Sequence, residues 1–171
     1  MATPVLDTLP LISRLRRNHS LEHATMHVLS EKFKGLGMAG ISGPWGFYLL
    51  ADLPSETVCD AALEALKRLQ EGEASLAVHD NCGTNLATPA MLAALTIWVA
   101  MLGTGKDKQL KLRRLPFALI LAIPVFLLSR PLGPIFQRLL TTTDDPATLQ
   151  VDRVFTQKYG GRSLHHIMTH E

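Results

Sequence analysis

Asn18-His19-Ser20-Leu21-Glu22-His23-Ala24-Thr25-Met26-His27 places three histidines and a glutamate within ten residues. The histidines recur every fourth position, and Glu22 follows His19 by three, which is helical spacing. At about 100° per residue, with His19 at 0°, His23 falls near 40°, His27 near 80° and Glu22 near −60°. Leu11, Ile12, Leu15, Met26, Leu29 and Phe33 all fall between about −80° and 20° on the same wheel. The apolar stripe therefore contains His19 and Glu22 and is edged by His23. Ionisable groups turned toward a core need partners, because an unpaired buried charge is expensive. Those partners are each other, a metal ion or a polar ligand.

The 171 residues carry a formal net charge of +2 and are 47% hydrophobic, which fits one modest folded domain plus an unusually apolar part. A nearly balanced charge without aromatic stacking platforms excludes nucleic acid as the expected partner. Cys59 and Cys82 are the two cysteines; they form no CxxC and no disulfide framework. Met1–Pro10 lacks the basic and apolar regions of a cleaved signal peptide.

The spacing predicts a first helix from about Pro10 to Lys34, with Pro10 in its opening turn. Arg14, Arg16 and Arg17 on it read as a solvated or headgroup-facing patch. Gly35, Gly37, Gly40, Gly43 and Gly46 then break regular structure, as a flexible connection or a loop approaching the histidine helix closely. Phe47–Ala51 reads as a buried strand. A second helix is predicted over Ser55–Glu71, with Ser55 as its N-cap, Val58, Ala62, Ala65, Leu66 and Leu69 inward, and Gly72 closing it. Ser75–His79 reads as a second strand, so strand–helix–strand implies a parallel pair in a small α/β unit. The polar turn His79-Asp80-Asn81-Cys82-Gly83-Thr84-Asn85 would then lie at the carboxyl end of a strand, where ligands gather in α/β sheets. It offers His79, Asp80 and Cys82 as ligands or a nucleophile; the bland reading is a turn with Cys82 buried.

Leu86–Gly103 contains no charged residue, which makes it a candidate membrane span. Lys106, Lys108, Lys111, Arg113 and Arg114 follow, and Leu115–Leu128 is again uncharged. Pro116, Pro124 and Pro131 predict a kinked or tilted segment, which membranes tolerate. The expectation is a two-helix transmembrane hairpin over 86–140, in a multi-pass bacterial membrane protein with the lipid bilayer as partner. Both polar parts would share one side, and the basic loop, taken as cytoplasmic, would make that side extracytoplasmic. The tail, 141–171, is expected as a linker and a β-hairpin turning at Gly160-Gly161. His166 and His170 share one face of its second arm. With His165 they could add ligands, or be a solvated terminal cluster.

His19-Ser-Leu-Glu-His23 resembles, over five residues, the His-x-x-Glu-His motif of inverzincin metallopeptidases. That resemblance implies Zn²⁺ or another first-row metal on His19 and His23, with Glu22 activating a bound water. It also asks for a later glutamate ligand, for which Glu56, Glu64, Glu71 and Glu73 are the candidates. Asn18–Thr25, His79–Asn85 and Arg130–Thr142 together resemble a family of small bacterial membrane proteins of unknown function, from about Arg16 to Thr143. This second resemblance implies an architecture, a polar N-terminal domain over 1–85, a membrane hairpin and a tail, and no activity.

The resulting expectation is a membrane-anchored metal-binding protein. Its metal ligands would be His19, His23 and His79, with His27, Asp80 and Cys82 as further candidates, and a zinc-dependent hydrolase with catalytic Glu22 is the enzymatic form this reading could take. The alternative is a non-catalytic metal- or tetrapyrrole-binding accessory subunit, scaffold or homo-oligomer of a membrane complex. A thiol enzyme using Cys82 with a histidine base, and a purely structural Glu22, complete the set.

Overall fold

The computed structural model describes residues 4–171. A short α1 (Pro4–Asp7) precedes α2 (Pro10–Lys32), which carries all three spaced histidines on one continuous helix. Two strands follow, β1 (Ala39–Gly43) and β2 (Gly46–Leu50), and then α3 (Ser55–Gln70). A single 3-10 turn, Ala74–Ala77, leads toward α4 (Gly83–Ala100), α5 (Lys108–Leu128) and α6 (Leu132–Phe136). After a π-helical turn at Gln137–Thr141, β3 (Gln150–Tyr159) and β4 (Arg162–His170) end the chain. The chain divides into two compact units, one of residues up to His79 together with Arg138–Glu171, the other Asp80–Gln137.

The first unit is two layers, helices on a sheet. Its four strands run in the order β1-β2-β4-β3 and every neighbouring pair is antiparallel. Strand alternation sends Phe47 and Leu49 of β2 and His165 and Ile167 of β4 inward. There Phe47, Leu49 and Ile167 join Leu21, Ala24, Val28 and Leu29 of α2, and Val58, Ala62 and Ala65 of α3, in one core. Each large side chain removed from water this way contributes about 1.5–3 kcal/mol. Gly46 opens β2 at φ +133°, and a Cβ there would strike the Ile167 carbonyl, so only glycine fits the turn. The strap Thr141–Thr143 runs along α2, where the Arg16 guanidinium donates twice to the Thr142 carbonyl (3.0 and 2.6 Å). One turn on, the Ser20 hydroxyl accepts the Thr143 N–H at 2.9 Å.

Several expectations change. The parallel strand–helix–strand pair does not form: Ser75–His79 makes a 3-10 turn and extended chain, with no strand there. The physical reason is that the Ala77 and Val78 carbonyls, which a second strand would have paired, accept hydrogen bonds from His23 and His27. The polar turn after it is consequently not at the end of a strand. The glycine-rich segment is not wholly irregular, since it contains β1. The tail does form the predicted hairpin, but β4 pairs with β2, so it completes the first unit's sheet and is not a separate domain. The cap before α3 is Pro54, with Ser55 already helical. Arg16 is no part of a solvated patch: it is 1% exposed and paired with Asp7 at 2.5 Å. Leu11, Ile12 and Leu15, expected in the core stripe, are exposed.

The second unit is a helical hairpin, α4 against α5, with α6 packed on α4. Asp107 caps α5 by accepting the Leu110 N–H at 3.0 Å, and Arg114 donates to the Leu102 carbonyl at 2.8 Å. Gly133 of α6 touches α4 so closely that a Cβ would lie 2.7 Å from the Asn85 Cα. Asn85 in turn accepts from Gln137 Nε2 at 2.6 Å. Among the described residues, α4 alone is a single helix long and apolar enough to cross a membrane. The α5 segment meets the same test only when joined to Leu132–Thr141 across a 64° bend.

Candidate metal centre

Helical spacing does for the histidines what the sequence predicts: it stacks them up one face of α2. The His19 and His23 ring centroids lie 4.3 Å apart, and each ring offers a nitrogen within 4.8 Å of one on the other. The strap at 77–79 brings His79 beside them. Its ring lies 5.8 Å from that of His23 and 4.9 Å from that of His27. Four imidazoles therefore form one continuous contact series in the first unit, His19–His23–His79–His27.

Backbone carbonyls orient three of these rings. A carbonyl can only accept, so the ring nitrogen facing it carries the proton. Nδ1–H of His19 donates to the Thr141 carbonyl (3.0 Å), and Nδ1–H of His23 to the Ala77 carbonyl (2.9 Å). In the neutral ring Nε2 then carries the lone pair, the form a metal ligand needs, with a carbonyl behind it fixing ring and tautomer. His27 is turned the other way: its Nε2–H donates to the Val78 carbonyl at 2.9 Å, leaving the lone pair on Nδ1. Zinc-bound imidazoles sit at about 2.0–2.1 Å from the ion. A separation of at most 4.8 Å between the His19 and His23 nitrogens lets one ion bridge them with small ring movements.

Glu22 faces elsewhere. It is 4% exposed, accepts a hydrogen bond from the Ser42 hydroxyl of β1, and lies flat against Gly40. Burial raises its pKa above 4.5, opposed by the Ser42 hydrogen bond and the neighbouring His19. One carboxylate oxygen is thus committed to β1, a tie nothing in the sequence signals, although Gly40 itself marks the close approach of that loop. The carbonyls of Ala77, Val78 and Thr141 were equally unreadable, because any residue could supply them.

The remaining candidates are placed as follows. Asp80 and Cys82 belong to the second unit, where the Asp80 carbonyl accepts from Asn85 Nδ2 (2.7 Å) and Cys82 caps α4 with its thiol 3.5 Å from the Thr84 hydroxyl. Of the glutamates proposed as an additional ligand, Glu64 pairs with Lys32, Glu71 with Lys67 and Glu73 with Arg68. Glu56 is exposed in the first turn of α3. The tail histidines do not join the series. His165 is buried in the sheet between the Ala51 carbonyl (2.9 Å) and the Thr156 hydroxyl (2.8 Å), His166 stacks on Tyr48 at 4.1 Å, and His170 is exposed.

An uncharacterised protein of Picosynechococcus sp. is 34% identical to this chain over 101 residues, which cover 52% of this chain and 49% of that protein. The chain thus spans about half the length of that curated relative, and no solved structure matches it. A longer match, over residues 14–154, takes in α2 from Arg14 onward, the strap at 77–79, the hairpin and the first part of β3, and by it the chain belongs to the family described as a domain of unknown function, DUF6391.

Proposed function

We propose that this is a membrane-anchored metal-binding protein, whose first unit holds Zn²⁺ or another first-row transition metal on His19, His23 and His79. The observation that carries the reading is the orientation of His19 and His23. Two rings one helical turn apart both give Nδ1–H to a backbone carbonyl, and each offers a nitrogen within 4.8 Å of one on the other. A carbonyl behind each ring fixes its orientation and turns the other nitrogen toward a ligand, which is the outer-shell arrangement of metal-bound histidines. Elemental analysis of protein purified without chelators tests it. About one equivalent of metal is expected, displaced by a strong chelator and lost in His23→Ala, because two remaining ligands rarely hold an ion.

Hydrolysis is the further step of this reading, with Glu22 as the general base. If so, Glu22→Gln keeps the metal and removes activity. The Ser42 hydrogen bond and the Gly40 contact favour instead a Glu22 that positions α2 against β1, in which case Glu22→Gln changes stability and leaves metal content alone.

The anchor is the α4–α5 hairpin. Large apolar side chains stand exposed along both helices, among them Met91, Trp98, Phe117, Ile120 and Leu128. A water-soluble helix pair hides such residues, whereas a lipid-facing one displays them. The basic segment Lys106–Arg114 between the apolar runs would then face the cytoplasm, with both polar parts on the other side of a bacterial membrane. Protease cleavage of the N-terminal segment and of the tail from opposite faces would refute that arrangement.

A further inference from the structure

The first three turns of α2 are built inside out. Ser13, Arg16 and Ser20, at positions i, i+3 and i+7, are buried, while Leu11 is 61% exposed and Ile12 and Leu15 are exposed with it. Later in the same helix the usual order returns, with Leu21, Ala24 and Val28 buried. A helix that hides its polar side and shows its leucines to the surroundings has an apolar medium on its outer face.

The β1–β2 turn extends this face. Asn18 Nδ2 donates to the Gly43 carbonyl at 2.9 Å and so pins the turn onto α2. One helical turn earlier, the Arg14 guanidinium lies 4.4 Å from the ring centroid of Trp45, which is itself 59% exposed. Arg14 makes no ion pair among the described residues, and its Nε is buried with no hydrogen-bond partner. Its two neighbouring arginines are already paired, Arg16 with Asp7 at 2.5 Å and Arg17 with Glu171 at 2.7 Å. Leucines and isoleucine outward, an exposed tryptophan beside them and an arginine lacking a carboxylate form the combination that sits at a bilayer surface. The aliphatic groups enter the acyl boundary, the indole lies at headgroup depth and the guanidinium takes a phosphate.

We infer that the outer face of α2, formed by Leu11, Ile12, Leu15, Arg14 and the adjoining Trp45, is an anionic-lipid contact surface. It anchors the first unit independently of the α4–α5 hairpin. A second copy of the chain is a poorer occupant, since a two-fold contact would set Arg14 near its own copy with no acid on the patch to neutralise it.

Two tryptophans, Trp45 and Trp98, make the test direct. Full-length protein is reconstituted into vesicles of phosphatidylcholine with phosphatidylglycerol, carrying nitroxide quenchers at shallow or deep acyl positions. Trp98→Phe leaves Trp45 as the reporter of the patch, and Trp45→Phe leaves Trp98 as the reporter of the hairpin. The expected result is shallow quenching of Trp45, mostly lost in Arg14→Gln and in Leu11→Ser/Leu15→Ser, with Trp98 quenched from the deep position in every variant. Shallow quenching of Trp45 with Trp98 unquenched supports the patch and refutes the hairpin. Trp45 open to aqueous iodide and untouched by lipid quenchers, with Trp98 quenched, overturns the inference and leaves the hairpin standing. Trp45 shielded from both quenchers overturns it in favour of a protein partner. Quenching indifferent to Arg14→Gln and to loss of phosphatidylglycerol overturns the anionic contact. Far-ultraviolet circular dichroism confirms that the variants are folded.

Discussion

Gly40 has no side chain where Glu22 has its carboxyl: a Cβ on Gly40 would stand 2.7 Å from the Glu22 Cδ and 2.9 Å from its Cγ. The two residues come from β1 and α2, so this contact, with the Ser42 hydrogen bond beside it, sets how closely the histidine helix approaches the sheet. Gly40→Ala is expected to lower stability by about 1–3 kcal/mol through overpacking. Glu22→Ala in the same chain should relieve most of that cost, giving a large coupling energy in a double-mutant cycle. Denaturant titration of the four proteins measures it, and additive effects would show that the contact does not carry the energy.

Arg16 presents a different kind of buried polar contact. Its guanidinium is 1% exposed, held by Asp7 and by two hydrogen bonds to the Thr142 carbonyl. Removing it leaves that carbonyl and carboxylate without their shared donor, so Arg16→Ala should cost about 3–5 kcal/mol. Asp7→Asn should cost much less, because the Thr142 bonds remain and Asp7 is partly open to water. Equal effects of the two substitutions would place the energy in the ion pair instead of the strap.

At the surface, Arg68 joins Glu31 of α2 to Glu73 beyond α3, with bonds of 2.7–3.2 Å. Hydrogen bonding to Arg68 lowers the pKa of both carboxyls below their ordinary 4.5. A depressed carboxylate stabilises the fold above its unfolded pKa, and that contribution is lost as pH falls through the folded value. Arg68→Met should therefore be less stable than the unmodified protein at neutral pH, and the two should converge in acid below 4.5. A gap that stays constant across that range would assign the loss to the Arg68 stem packing on its neighbours.

Much of this was legible in the residues, and the rest failed for identifiable reasons. The α2 and α3 helices, β2 and the tail hairpin follow from periodicity, because each buries a regular face against the same core. Ser75–His79 misled because a short apolar run looks like a strand whatever its carbonyls bond to, and here they bond to imidazoles. The pairing of β4 with β2 was hidden because it joins segments more than a hundred residues apart, and a hairpin signal is local. At the site, His19, His23 and His27 were found by helical spacing, while His79 was picked out by a strand end that does not form. The tautomer-fixing carbonyls of Ala77 and Thr141 were not, since the backbone leaves no mark in a sequence.

In the second unit, Asn85 links the Asp80 carbonyl to Gln137 and lies under Gly133. Asn85→Ala removes both amide bonds at once and should cost about 1–3 kcal/mol. Gly133→Leu should be at least as harmful, since the new side chain must displace α6 from α4. Differential scanning calorimetry of the reconstituted protein reads both. An unchanged transition in Gly133→Leu would mean that α6 packs elsewhere.

His23 and His27 allow ligation to be separated from hydrogen bonding. Both rings tie α2 to the same strap, His23 to the Ala77 carbonyl and His27 to the Val78 carbonyl, each at 2.9 Å. Alanine at either position should therefore destabilise the metal-free protein by a similar amount, about 0.5–1.5 kcal/mol for a lost hydrogen bond. The rings differ in which nitrogen keeps the lone pair, Nε2 in His23 and Nδ1 in His27. The His23 ring lies 4.3 Å from that of His19 and offers a nitrogen within 4.8 Å of one on it. Metal content should then fall to background in His23→Ala and stay near its original level in His27→Ala. Zinc loading of the unmodified protein should weaken in acid, because the proton and the ion compete for the same nitrogen. Equal metal loss in both variants would move the ion to the His79–His27 end of the series. Equal destabilisation with no metal in any of the three proteins would leave the imidazoles as the ties that fasten the strap to α2.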